Sequence, residues 1–167
     1  MSSMFFDDLE AVKIATAMER NGLDFYVRAT ARTRDPNVKK MFLRLGDEER
    51  NHITLFEDLQ KKLQAAPPRP GAADDDETAA YVQHLVESHV FSETGTPARL
   101  LAEAADDIAA LAVGIRAERD ALLFYQEMLQ FTDSQAARAA FEQIIAEERK
   151  HLAALAETSQ RCHELHG

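Results

Sequence analysis

Six side chains that can bind metal ions occur in this sequence as two sets of three. The sets are Glu19, Glu49 and His52, then Glu118, Glu148 and His151, a constant shift of 99 positions (19 to 118, 49 to 148, 52 to 151). Carboxylate oxygens and imidazole nitrogens bind divalent first-row metals such as iron and manganese. The doubled set therefore predicts a site for two metal ions.

The same shift relates the surrounding residues, which indicates a duplicated helical hairpin. The matching pairs include Leu23 and Leu122, Phe25 and Phe124, Tyr26 and Tyr125, Phe42 and Phe141, and Glu48 and Glu147. A single Glu-x-x-His is weak evidence, because short matches arise by chance in a chain rich in glutamate. Two matches in one register of a repeat are much stronger. The alternative interpretation is a bundle with solvated glutamates and incidental histidines.

Apolar residues recur at intervals of three and four along four long segments, as in amphipathic helices. The first hairpin is predicted over about 8–65, with Asp35-Pro36 as the cap and first residue of its second helix. The second hairpin is predicted over about 97–163, with its turn at Thr132-Asp133-Ser134. No segment has a strand pattern. We therefore expect an all-α four-helix bundle that forms a single domain over 1–167.

The segment of about 66–96 should be a long crossover between the hairpins. Prolines between 67 and 70 interrupt the helical pattern, and Asp74-Asp75-Asp76 can cap a short helix that ends near Phe91. Glu87 on this helix would be an extra ligand if the helix packs over the bundle. A charged crossover is more often a solvated face.

The spacing also predicts where the glutamates lie along the bundle. In each hairpin the midpoint between the two glutamates falls on the predicted turn, at Arg34 in the first and at Asp133 in the second. At about 1.5 Å per residue, each pair lies some 20 Å from its turn. Residues three apart share a helix face, so each Glu-x-x-His can bind one ion at mid-bundle.

The sequence resembles the rubrerythrin-related branch of the ferritin-like proteins across both hairpins. The motifs that carry the likeness are Met18-Glu19-x6-Tyr26, Asp47-Glu48-Glu49-x2-His52, Ala117-Glu118-x6-Tyr125 and Glu147-Glu148-x2-His151. The resemblance implies a ferritin-like bundle with two iron ions per chain, bridged by Glu49 and Glu148. It further implies that Glu19 and Glu118 are terminal ligands and that His52 and His151 each bind one iron.

Two features differ from rubrerythrin itself. The comparison with rubrerythrin implies a further carboxylate one turn after the glutamate of the third helix, which is Glu118 here. This sequence has Ala121 at that position. Rubrerythrin also has a four-cysteine rubredoxin module, whereas Cys162 is the only cysteine of this sequence. The first difference argues against a redox-linked movement of iron. The second implies that electrons come from a separate donor protein.

The resemblance implies an oxidoreductase in which Fe(II) reacts with hydrogen peroxide or dioxygen, as in a peroxidase or ferroxidase. Manganese or zinc could also bind in vitro, because the ligand types do not settle which metal is native. Two alternatives remain open: a non-catalytic iron-binding or storage-related module, and a scaffold whose metal is structural. The resemblance also suggests a homodimer with helices exchanged through the segment Pro67–Gly71.

Composition limits the partners. The net charge of -10 argues against nucleic acid, which is bound by clustered Lys and Arg. The lone Cys162 excludes an intramolecular disulfide and fits a reducing compartment. The sequence has neither a signal-peptide pattern at its start nor an apolar run of about 18 residues, so we expect a cytoplasmic protein with no membrane partner.

Two further groups of residues are open to interpretation. Tyr26 and Tyr125 each lie two helical turns after a candidate ligand, so they are either core residues or donors to a ligand carboxylate. Cys162-His163-x2-His166 looks like a metal-binding motif. At a chain end such a segment is more often disordered, and we assign it no role.

Overall fold

The computed structural model describes residues 7–67 and 95–166, together with Glu77, Ala80, Tyr81 and His84. Its continuous helices are α1 (Asp8–Arg32), α2 (Pro36–Ala65), α3 (Pro97–Glu103), α4 (Asp107–Phe131) and α5 (Gln135–His166). The described ranges contain helices and no strand, which confirms the predicted all-α class. None of their helices is long and apolar enough to cross a membrane.

The crossover is described at four positions only. Glu77, Ala80, Tyr81 and His84 are helical, and the side chains of Glu77, Tyr81 and His84 are exposed. Glu87, the candidate extra ligand, lies outside the described residues, as do Asp74-Asp75-Asp76 and the predicted helix end at Phe91.

Aspartates cap the N-termini of three of the four long helices, α1, α2 and α4. The carboxylate of Asp7 accepts a hydrogen bond from the Glu10 N–H at 2.8 Å at the start of α1. Asp35 caps α2 and is followed by Pro36 at the first helical position, as the sequence predicts. A side-chain oxygen at this position satisfies an N–H that has no partner within the helix.

The third long helix differs from the prediction, which started it at Pro97. Instead, α3 ends at Glu103 and α4 begins at Asp107, after a cap by Asp106. The guanidinium of Arg32 donates to the carbonyl oxygens of Leu101 and Ala104, and so satisfies acceptors freed at the end of α3. A contact from α1 thus stabilises the break.

The C-terminal region also differs from the prediction. The sequence predicts the end of the second hairpin near 163 and favours disorder around Cys162, but α5 continues to His166. The Cys162 side chain is buried among core residues that include Val38 and Leu155. Burial of this apolar face explains why the helix persists.

Reciprocal contacts fix the direction of the two hairpins. The Asp8 carboxylate at the start of α1 accepts from the Ser134 N–H at 2.6 Å, in the turn of the second hairpin. The Asp107 carboxylate at the start of α4 accepts from the Asp35 N–H at 2.8 Å, in the turn of the first. Because each helix begins beside the opposite turn, α1 and α4 are antiparallel. The two contacts are related by the 99-residue shift (8 to 107, 35 to 134).

Two apolar clusters fill the described bundle, and each combines both hairpins. The first contains Ala11, Val12, Ala15, Phe56, Leu59, Leu122, Phe124, Tyr125, Met128, Ala137, Ala140, Phe141, Ile144 and Ile145. The second contains Phe25, Tyr26, Ala29, Val38, Met41, Phe42, Leu45, Leu101, Ala110, Leu111, Leu155 and Cys162. The candidate ligands are buried polar residues that belong to neither cluster.

Candidate metal centre

The six side chains that the sequence predicts as ligands are brought together in the middle of the bundle. Ligand atoms within 4.8 Å of one another form two groups, one of Glu19, Glu49, His52 and Glu148 and the other of Glu49, Glu118, Glu148 and His151. Glu49 and Glu148 belong to both groups. The arrangement places two carboxylates between two potential ion positions, each with its own glutamate and histidine.

Burial of these charged side chains is energetically unfavourable unless a positive charge or a proton lies among them. None of the six residues is more than 4% exposed. Both carboxylate oxygens of Glu148 and the Nδ1 atom of His151 are buried without a hydrogen-bond partner among the described residues. Buried polar atoms are normally paired, so these atoms need either a proton or a cation. The buried groups are positioned to hold a metal ion.

Two tyrosines bind the carboxylates of Glu19 and Glu118 across the hairpins. The Tyr26 hydroxyl donates to Glu118 Oε1, and the Tyr125 hydroxyl donates to Glu19 Oε1. Each tyrosine therefore contacts the glutamate of the opposite hairpin, because α1 and α4 are antiparallel. Burial, followed by the charge of that glutamate, raises the pKa of both hydroxyls well above their ordinary value. They remain protonated donors that orient the carboxylates.

Two glutamates that the sequence analysis did not assign to the site fix the histidines. His52 Nε2 lies 2.7 Å from Glu147 Oε2, and His151 Nε2 lies 2.5 Å from Glu48 Oε2. An imidazole N–H donates to a carboxylate at these distances. With Nε2 occupied in this way, Nδ1 of each ring faces the buried carboxylates and is the atom available to a metal. The repeated Glu-Glu-x-x-His motif is the sequence feature that could have identified Glu48 and Glu147 as part of the site.

The carboxylates differ in their affinity for protons. Burial, and then the charge of Glu19, raises the pKa of Glu49 well above its ordinary value. Burial and the charge of Glu148 raise the pKa of Glu118 to about 8. Burial acts in the same direction on Glu148, but its close polar neighbours Glu118, His151 and His52 outweigh burial and lower its pKa. In the metal-free site, protons are therefore shared among the carboxylates.

The histidines are protonated at neutral pH when no metal is bound. Burial lowers the pKa of His52, but the neighbouring carboxylates of Glu148 and Glu19 outweigh burial and raise it to about 10. Burial likewise lowers the pKa of His151, but the neighbouring carboxylates of Glu118 and Glu148 outweigh it and raise the pKa to about 11. The ring centroids lie 5.4 Å apart in a stacked arrangement. In the metal-free protein, protons on the imidazoles thus offset part of the negative charge of the carboxylates.

A small cavity reaches the carboxylates between α1 and α4. Its volume is about 60 Å³. Its lining includes Gly22, Tyr26, Glu49, Ala117, Ala121 and Glu148. A cavity of this size holds on the order of a few water molecules. On the other side of the site the histidines are enclosed by their contacts with Glu48 and Glu147. A small molecule can therefore approach from the side of α1 and α4.

Comparison with known family models gives no match, and comparison with curated proteins gives none either. Among solved structures, the chain is similar to a two-domain protein from Anabaena variabilis that contains a DJ-1/ThiJ/PfpI-like domain and a ferritin-like domain. The TM-score is 0.66 with 16% sequence identity, and the match covers 92% of this chain and 39% of the other.

This structural similarity confirms the predicted fold class, a ferritin-like helical bundle. At 16% identity the similarity concerns the fold. A narrower relationship to the rubrerythrin branch stays a prediction from the sequence motifs. The buried cluster of carboxylates and imidazoles is a feature of this chain's own structure.

Proposed function

We propose that the protein binds two iron ions and acts as an oxidoreductase on hydrogen peroxide or dioxygen, in the manner of a rubrerythrin-like peroxidase or ferroxidase. The observation that carries the proposal is the pair of overlapping ligand groups that share Glu49 and Glu148. Four carboxylates carry four negative charges, which two divalent ions neutralise. An oxygen-rich ligand set with one imidazole per ion suits iron or manganese.

The ligand atoms fit this role in detail. Nδ1 of His151 and both oxygens of Glu148 lack hydrogen-bond partners, as atoms reserved for an ion would. Under this proposal Glu49 and Glu148 hold both ions, while Glu19 and Glu118 each hold one. The six residues are thus divided equally between two similar coordination spheres.

A bound iron pair would supply the two electrons that, together with two protons from solvent, reduce one hydrogen peroxide molecule to two waters. The residues of the chain provide the surroundings for this chemistry. Tyr26 and Tyr125 hold the terminal carboxylates, and Glu48 and Glu147 hold the imidazoles. The small cavity beside Gly22 admits a molecule of a few atoms and leaves little room for bulk water.

The electrons must be replaced after each reaction, and we propose that a separate donor protein supplies them. The single cysteine of the sequence cannot form a four-cysteine iron centre. The donor and the proposed homodimer both stay predictions.

The first experiment is an anaerobic titration of metal-free protein with Fe(II), followed by hydrogen peroxide, with near-ultraviolet absorption recorded. We expect saturation at two irons per chain and a rapid absorption change as Fe(II) is oxidised. Two bound irons that do not react with peroxide or dioxygen would instead support the storage-related module. Failure to bind two irons would contradict the proposed site.

A further inference from the structure

Gly22 occupies a position where glycine is unfavourable for the helix itself. It lies in the interior of α1, more than two turns from either end of Asp8–Arg32. Glycine in a helix interior is less stable than alanine by about 0.5–1 kcal/mol, because the unfolded chain has more conformations to lose. The backbone of α1 would therefore be more stable with a side chain at this position.

The surroundings of Gly22 give a reason for the missing side chain. A Cβ atom at this position would lie 3.0 Å from Glu49 Oε2 and 3.4 Å from Glu49 Cδ. The first distance is shorter than ordinary van der Waals contact, so the carboxylate would have to move. Glu49 belongs to both ligand groups, and its displacement would affect both ion positions.

The sequence repeat has glycine at this position in the first hairpin only. The position that corresponds to Gly22 in the second hairpin is Ala121 (22 to 121), which lines the same cavity. A methyl group is thus accommodated beside one half of the site, whereas a methyl group at position 22 would require the Glu49 carboxylate to shift by a few tenths of an ångström.

We infer that Gly22 is a positioning residue for the metal centre, which leaves space for the Glu49 carboxylate at the expense of helix stability. The inference rests on the proposed metal binding. The inference predicts that Gly22, compared with alanine, increases the affinity for metal and decreases the stability of the metal-free protein.

The test compares Gly22→Ala with Gly46→Ala, using cobalt(II) as the metal. Gly46 is a matched control in α2, because its Cβ would lie 3.4 Å from Tyr26 Cβ, an ordinary contact. In metal-free protein Gly46→Ala should raise the melting temperature by about 3 °C from helix propensity, and Gly22→Ala should raise it by less, because the Glu49 carboxylate must shift. Gly22→Ala should raise the Kd for cobalt(II) about tenfold and alter the visible absorption of the bound ion. Gly46→Ala should leave both within about twofold of the wild type.

The outcomes separate this inference from the proposed function. A wild type that binds no cobalt(II) would overturn both. A wild type that binds two ions, together with a Gly22→Ala variant of equal affinity and spectrum, would overturn the role of Gly22 alone. Loss of helical circular dichroism in metal-free Gly22→Ala would also overturn it, because the fold itself would then exclude the methyl group.

Discussion

At the scale of single residues, the site is built from carboxylates that repel one another unless protons or metal ions lie between them. Glu49 is the clearest case, since burial and neighbouring glutamates raise its pKa well above the ordinary value. The metal-free protein therefore favours the neutral, protonated form of this side chain. A neutral side chain of the same shape should therefore preserve the stability of the metal-free fold but weaken metal binding.

Glu49→Gln should reduce metal binding from two ions per chain to at most one, without lowering the melting temperature of the metal-free protein. The amide resembles the protonated carboxyl group but cannot supply a charged ligand to two ions. Glu148→Gln should likewise abolish binding of the second ion. Stoichiometry would be measured by titration with Fe(II) or cobalt(II).

Glu142→Gln is a suitable control for these variants, because residue 142 is an exposed glutamate of α5. It should retain two ions. Two ions bound by Glu49→Gln and by Glu148→Gln would show that the shared ligands have been assigned incorrectly.

Glu48→Gln and Glu147→Gln should weaken metal binding while stoichiometry stays at two. Each glutamate accepts the Nε2–H of the opposite histidine, and the loss of such a contact reduces metal affinity by about 10- to 100-fold. Competition with a metal indicator would measure the Kd. Asp47→Asn is the comparison, since Asp47 is an exposed neighbour paired with Arg50. If Glu48→Gln behaved like Asp47→Asn, the carboxylate would have no role in orienting His151.

The residues of this site were unequally predictable from the sequence. The six ligand candidates followed from spacing, because helical periodicity alone places Glu49 beside His52 on one face. The roles of Glu48, Glu147 and Gly22 did not follow, because they depend on which atoms of the other helices pack against them. These contacts depend on how the helices pack against one another, which the periodicity of a single helix does not determine.

At the scale of helices, the pattern of apolar residues and the Asp35-Pro36 signal were sufficient to predict both hairpins. The break between α3 and α4 was missed. Asp106 has a capping side chain, but the periodicity gives no reason to stop a helix there. The stabilising contact comes from Arg32, far away in the sequence.

The reciprocal aspartates at the hairpin turns give a prediction at this scale. Asp8→Ala and Asp107→Ala should each lower the free energy of unfolding by about 1 kcal/mol, because backbone N–H groups in the opposite turn lose their acceptor. Denaturation in urea would measure the change. Asp24→Ala removes an exposed i,i+4 pair with Arg28 and should cost less. Equal effects at all three positions would mean that the cross-hairpin contacts add no stability.

At the scale of the whole molecule, the buried charges couple stability to pH. Glu118 has a pKa of about 8 in the metal-free fold against an ordinary value of 4.5, and His52 has about 10 against 6.5. A raised pKa means that the folded protein holds protons more tightly than the unfolded chain. This contribution is complete below the ordinary pKa and is lost as the pH rises through the raised one.

The melting temperature of the metal-free protein should therefore fall between about pH 6 and pH 9. Metal-saturated protein should show a smaller fall or a rise, because the ions replace these protons and bind more tightly as the pH increases. Thermal unfolding followed by circular dichroism would test both trends. Glu118→Gln should make the fall in the metal-free protein shallower. A melting temperature independent of pH in the wild type would contradict the assigned proton positions.

The division of the ligands between two hairpins of one chain also affects how the site responds to dilution. If each hairpin were a separate molecule, the two halves would meet less often as the protein became scarce. A covalent connection through the intervening segment keeps them at an effective concentration on the order of millimolar. The affinity for metal should then be the same at any protein concentration. Each molecule would bind iron equally tightly whether the protein is rare or abundant in the cell.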